Sequence, residues 1–134
     1  MDEYREFLKM LKSYQQSIQY LHRHCIGAEF FSTLEVTNDI YDLLADYIDE
    51  MCEVGMTFGV DEPSMAESIE SYPEISKKFR NSFDTETEVK RMLNDLVTEI
   101  ARIQDVPADV KNKLEEHQLK CRHIADFKLK GALS

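Results

Sequence analysis

The chain has 134 residues, 43% of them hydrophobic, with only four glycines and three prolines. That is enough for one domain with a real core and too little for two, and it argues against a disordered chain or a turn-rich β fold. The 16 Lys and Arg against 26 Asp and Glu leave a formal net charge of −10, which disfavours unaided nucleic-acid binding and favours cations.

The first helix is expected from Asp2 to about His24. Tyr4, Phe7, Leu8, Leu11, Tyr14, Ile18, Leu21 and Cys25 keep a 3.6-residue beat, and Asp2 and Glu3 suit the positive end of the helix dipole. His22 falls within the apolar stripe, one turn after Ile18, whereas His24 points roughly 160° away and is expected to be exposed. His22 therefore reads either as a ligand at an interface or as a hydrogen-bonded, half-buried imidazole.

Gly27 marks a turn, and a second helix is expected from Glu29 to about Met56. Phe30, Leu34, Thr37, Tyr41, Leu44, Ile48, Met51 and Cys52 recur at three- and four-residue steps and make its buried face. Glu35, Asn38, Asp42, Asp49 and Glu53 crowd one flank of that stripe. Asp49 and Glu53 lie one turn apart, so both carboxylates can point at one place, as two oxygen donors to a hard cation do. Spacing alone leaves two readings open, a solvated face and a metal-binding edge of a helix bundle.

Beyond Gly55 and Gly59, Asp61-Glu62-Pro63-Ser64 offers capping chemistry for a short helix from Pro63 to about Ser71. Lys77, Lys78 and Arg80 form the densest basic patch in the middle of the chain and read as a solvated helix start. Asp84 or Thr85 is expected to cap the third long helix, whose stripe is Val89, Met92, Leu93, Leu96, Ile100 and Ile103. Pro107 suits the first turn of a fourth helix running to about Leu129, before Gly131, with Val110, Leu114, His117, Cys121 and Ile124 inward. His117 on that stripe reads as a satisfied core residue or, less simply, as a ligand.

Cys25, Cys52 and Cys121 lack CxxC spacing and sit on or near apolar stripes, so they read as reduced core thiols of a cytoplasmic protein. The start MDEYREF is not a secretory leader, and no run approaches the roughly 18 apolar residues of a membrane span, so no membrane partner is expected. Tyr20, Phe31 and Tyr47 lie outside or at the edge of the stripes and are expected to supply apolar surface for subunit contacts. No phosphate-cradling glycine loop, nucleophile elbow or zinc-type Cys/His spacing is present.

The stretch from His22 to Glu53 resembles the ferroxidase signature of the Dps miniferritins (DNA protection during starvation), a ferritin-like family. Its pattern is His, eleven residues, His, three residues, Asp, ten residues, Asp, three residues, Glu; counted from His22 it gives Leu34, Asn38, Asp49 and Glu53 without a gap. Gly27 falls where the family turns between its first two helices, and Ser71-Tyr72-Pro73 is similar to its segment after the short crossover helix. Three ligand positions match; Leu34 cannot ligate, Asn38 is a neutral, weaker oxygen donor than Asp, and Arg23 stands where the family has Trp.

The resemblance implies an all-α, ferritin-like four-helix bundle over residues 1–134, a single domain, with a long crossover carrying a short helix between helices 2 and 3. It further implies a homo-oligomeric, dodecameric cage whose iron sites span two-fold-related subunits, with His22 and Asn38 from one facing Asp49 and Glu53 of the other. Those four residues are the expected metal ligands, with no catalytic residue beyond them. Iron is then the cofactor and cargo, bound and stored more readily than it is oxidised because one imidazole is missing. The alternative is a ferritin-like structural or interaction protein that has lost its metal chemistry. Direct nucleic-acid binding is not expected, since the termini lack Lys-rich extensions.

Overall fold

The computed structural model describes residues 2–24, 30–75 and 82–128. The Cys25 and Gly27 positions, the Lys77, Lys78 and Arg80 patch and Gly131 lie outside the described residues, as do the side chains of Phe31 and Leu34. Four long helices and one short one follow in order: α1 (Asp2–His24), α2 (Phe30–Thr57), α3 (Met65–Ser71), α4 (Ser82–Arg102) and α5 (Ala108–His123), which runs on into a π-helical segment, Ile124–Lys128. No strand occurs among the described residues. The architecture is the expected four-helix bundle, with α3 as the short helix of the crossover between α2 and α4.

α1 is the hub, packing on α2, α3 and α4, while α5 packs on α4. Its stripe residues Tyr4, Phe7, Leu8, Leu11, Ile18 and Leu21 are almost fully buried and face Leu44 and Met51 of α2 and Met92, Leu93 and Leu96 of α4 in one core. Each such aliphatic side chain contributes on the order of 2 kcal/mol by leaving water. Among the described side chains of α2, Thr37, Ile40, Leu44, Tyr47, Met51 and Cys52 are buried, whereas Tyr41 and Ile48 are only half-buried. The helix is thus rolled toward Ile40 and Tyr47 relative to the sequence stripe. This overturns the expectation for Tyr47, which is core and not subunit-contact surface.

The crossover is tied down by polar contacts to α1. Ser64 caps α3 in a reciprocal box, its Oγ accepting from Glu67 N at 3.1 Å while Glu67 Oε1 accepts from Ser64 N at 3.3 Å. Lys12, buried in α1, donates to Glu62 Oε2 at 2.8 Å and to the Pro63 carbonyl at 2.6 Å. Tyr72 donates to Glu6 Oε2 at 2.6 Å, and Ser13 donates to the Tyr72 carbonyl. These bonds fix a segment of few apolar residues along the length of the bundle.

Two helix ends differ from expectation. α4 is already helical at Ser82, so Asp84 and Thr85 lie inside it and not at its N-cap position. Pro107 is the N-cap of α5, one position before its first turn, where its missing N–H costs no hydrogen bond.

Candidate functional site

His22 sits in the last turn of α1, half-buried, with Nδ1 2.9 Å from Oγ1 of the fully buried Thr37. That contact ties one ring nitrogen of His22 to α2. Asn38 follows Thr37 directly and is exposed. His22 and Asn38 therefore belong to the same end of the α1–α2 pair. His24, expected to be exposed, is half-buried: its ring stacks on Tyr20 at 4.0 Å between centroids, and its Nδ1 lies 2.8 Å from the Tyr20 carbonyl.

Asp49 and Glu53 are exposed, one turn apart on α2. From Asn38 to Asp49 the helix rises roughly 16 Å. The fold accordingly sets Asp49 and Glu53 one turn apart and puts His22 against the residue before Asn38, with the two pairs far apart along α2 within one chain. Among the described residues no three His, Cys, Asp or Glu converge where one ion could be held. The chemistry of the donor set nevertheless fits iron: imidazole, carboxylate and amide oxygen are ligands that Fe(II) accepts.

A second polar constellation lies between α2 and α5. His117 is 5% exposed, and its Nε2 lies 3.2 Å from Oε1 of Glu50. Burial holds the imidazole below its ordinary value of 6.5, against the pull of Glu50, so the ring is neutral at pH 7. The Tyr47 ring tilts over it at 3.5 Å between centroids. The Tyr47 hydroxyl is buried and makes no hydrogen bond, and burial, with the Cys121 thiol and Glu50 carboxylate nearby, pushes its ionisation well up. Sequence reading singled out His117 as inward-facing but missed Glu50. The available signal was that Glu50 follows Tyr47 by three residues, on the face toward α5.

No family model matches the sequence, and no curated protein sequence matches it. Solved structures do. An N-terminal deletion mutant of Dps from Mycobacterium smegmatis superimposes with a TM-score of 0.84 over 97% of this chain and 91% of its own, at 15% identity. The chain has the Dps fold. Dps from Staphylococcus aureus gives a TM-score of 0.69 over 99% of this chain and 95% of its own, at 18% identity. Dps92 from Deinococcus radiodurans gives 0.58 over 92% and 83%, also at 18%. At such identities the likeness is one of fold alone, so a ligand role has to be argued for each residue.

Proposed function

We propose that this chain is a Dps-like miniferritin subunit, one domain over residues 1–134, that closes with its own copies into a dodecameric cytoplasmic cage and takes Fe(II) as its cargo. The sites lie between two-fold-related copies: His22 Nε2, assisted by Asn38, from one, and Asp49 and Glu53 from the other. The observation that carries this reading is the separation along α2. Asp49 and Glu53 are one turn apart and exposed, His22 and Asn38 lie a long way down the helix pair, and an ion that took ligands from both pairs would need a second copy to supply one of them.

Iron bound there has one imidazole and two carboxylates, a donor set for a single Fe(II) ion. Leu34 offers no nitrogen to a second ion, so oxidation of an iron pair is expected to be slow and binding to dominate. A net charge of −10 per chain, repeated over a cage, concentrates cations and repels nucleic acid. The same Leu34 favours a second reading, a cage that retains the fold and has lost its metal chemistry.

The test is thermal unfolding with and without anaerobic Fe(II), alongside mass by light scattering. Wild-type protein should run as a large assembly and be stabilised by Fe(II) through mass action. Asp49→Asn with Glu53→Gln should assemble, with apo stability unchanged or slightly raised by removing like charges, and should lose the Fe(II) effect. A monomer at micromolar concentration contradicts the assembly, the lack of any Fe(II) effect on the wild-type protein favours the second reading, and an undiminished Fe(II) effect in the double variant contradicts the Asp49 and Glu53 site.

A further inference from the structure

A cavity of about 270 Å³ opens between α2 and α5, and its wall carries the buried residues that the two-fold site does not use. Tyr47, Glu50 and His117 are among its lining residues. Its other charged lining residues are Asp46, Lys113, Glu116 and Lys120. A buried hydroxyl with no partner is a rarity that ordinarily costs 1–3 kcal/mol, and here it belongs to a side chain that lines a space large enough for several waters. A plain His–Glu pair accounts for neither the cavity nor the unpartnered phenol.

We propose that this cavity is a second cation site, taking one hydrated divalent transition-metal ion on His117 Nε2 and Glu50 Oε1, with a metal-bound water hydrogen-bonded to the Tyr47 hydroxyl. The geometry of the pair supports two adjacent coordination positions. With bonds of about 2.1 Å, neighbouring ligands on one ion stand roughly 3 Å apart, and the two atoms are already 3.2 Å apart. The site has two protein donors, and water completes it, which agrees with the lack of any three-donor group among the described residues. Imidazole with a single carboxylate selects a transition-metal ion over Mg²⁺ or Ca²⁺, which are held by oxygen alone.

Binding requires His117 to give up its Nε2 proton, and the neutral ring then carries its proton on Nδ1. It also requires Lys113 to yield, because its Nζ stands 3.8 Å from Glu50 Oε1 and 3.4 Å from Glu116 Oε2. Lys113 is a half-exposed side chain and can swing to Glu116 alone. Three carboxylates against two ammonium groups leave the lining acidic by one charge, Asp46, Glu50 and Glu116 against Lys113 and Lys120. The site is independent of His22, Asp49 and Glu53, so it stands or falls apart from the proposed cage chemistry.

The experiment titrates Co²⁺ into the assembled Asp49→Asn, Glu53→Gln protein, reading stoichiometry by calorimetry and the visible bands of bound Co²⁺. One ion per chain should bind, and Glu50→Gln and His117→Gln should each weaken it at least tenfold, with helicity checked by circular dichroism. Tyr47→Phe should weaken it less and shift the visible bands. If His117→Gln unfolds the chain, Glu50→Gln decides alone, since Glu50 is half-exposed. No Co²⁺ binding in the starting protein, or unchanged affinity after Glu50→Gln, overturns the proposal.

Discussion

His22 Nδ1 and Thr37 Oγ1 stand 2.9 Å apart, joining the end of α1 to a fully buried hydroxyl of α2 one residue before Asn38. The contact orients the imidazole by its inner nitrogen, as outer-sphere partners of metal-bound histidines do. Replacing Thr37 with Val keeps the volume and removes the hydroxyl. Fe(II) affinity is expected to fall about tenfold, while the assembly remains intact by light scattering.

Gly55 tests the packing of α1 on α2. A Cβ there would meet Cε1 of Tyr4 at 2.9 Å. Tyr4 cannot give way, because its hydroxyl donates to the Met51 carbonyl at 2.6 Å and its ring is edge-on to Phe58 at 4.9 Å. Gly55→Ala gains about 1 kcal/mol of helix propensity and meets overpacking of about 1–3 kcal/mol, so a net loss of about 1 kcal/mol is expected in urea unfolding.

Two glutamates should give opposite pH signatures. The Tyr72 hydroxyl holds the carboxyl of Glu6 below its ordinary 4.5. Its stabilising effect is therefore present above that value and is lost as pH falls through the lower, folded one. Glu6→Gln should cost about 1 kcal/mol at pH 7 and flatten the acid limb. Glu99, only 6% exposed, is raised instead: burial outweighs the help of Arg102 at 3.2 Å. A raised carboxyl opposes folding while charged and stops doing so once protonated. Glu99→Gln should gain about 0.5 kcal/mol at pH 7, and that gain should vanish on acidification.

Restoring the missing donors addresses the chemistry. Leu34→His with Asn38→Asp rebuilds the full signature and should raise the rate of Fe(II) oxidation, followed by the ferric absorbance, at least tenfold over the wild-type chain. Background-level oxidation in an assembled double variant would mean that the two-fold geometry does not hold an iron pair.

The helices were legible where apolar periodicity was unbroken. α1 begins and ends as read, and α2 and α3 differ by one or two residues at their ends. Ser64 fell within the stretch read as capping chemistry, but the helix was read from Pro63, and the capping box of Ser64 with Glu67 starts it at Met65. The start of α4 was not, since Asp84 and Thr85 look like a cap but the helix precedes them. Tyr47 was misplaced because the stripe was drawn through Tyr41 and Ile48, whereas Ile40, Leu44, Tyr47 and Met51 make an equally regular beat, and the ring contact with His117 of α5 is not visible in α2's own sequence. The same tertiary cause hid Glu50 beside His117. The proposed His22, Asn38, Asp49 and Glu53 site was readable only as spacing, because within one chain the two pairs lie far apart along α2.

The central claim, a metal site shared between copies, is tested most directly by complementation. Two variants, His22→Ala and Asp49→Asn with Glu53→Gln, are each expected to bind no Fe(II) at the shared site. Unfolded, mixed in equal amounts and refolded together, they should regain roughly a quarter of the wild-type sites, because half of the two-fold pairs are mixed and each mixed pair restores one site of two. That recovery, measured anaerobically by calorimetry, is the result the account predicts. Mixed assemblies that bind no more Fe(II) than either variant alone would contradict it.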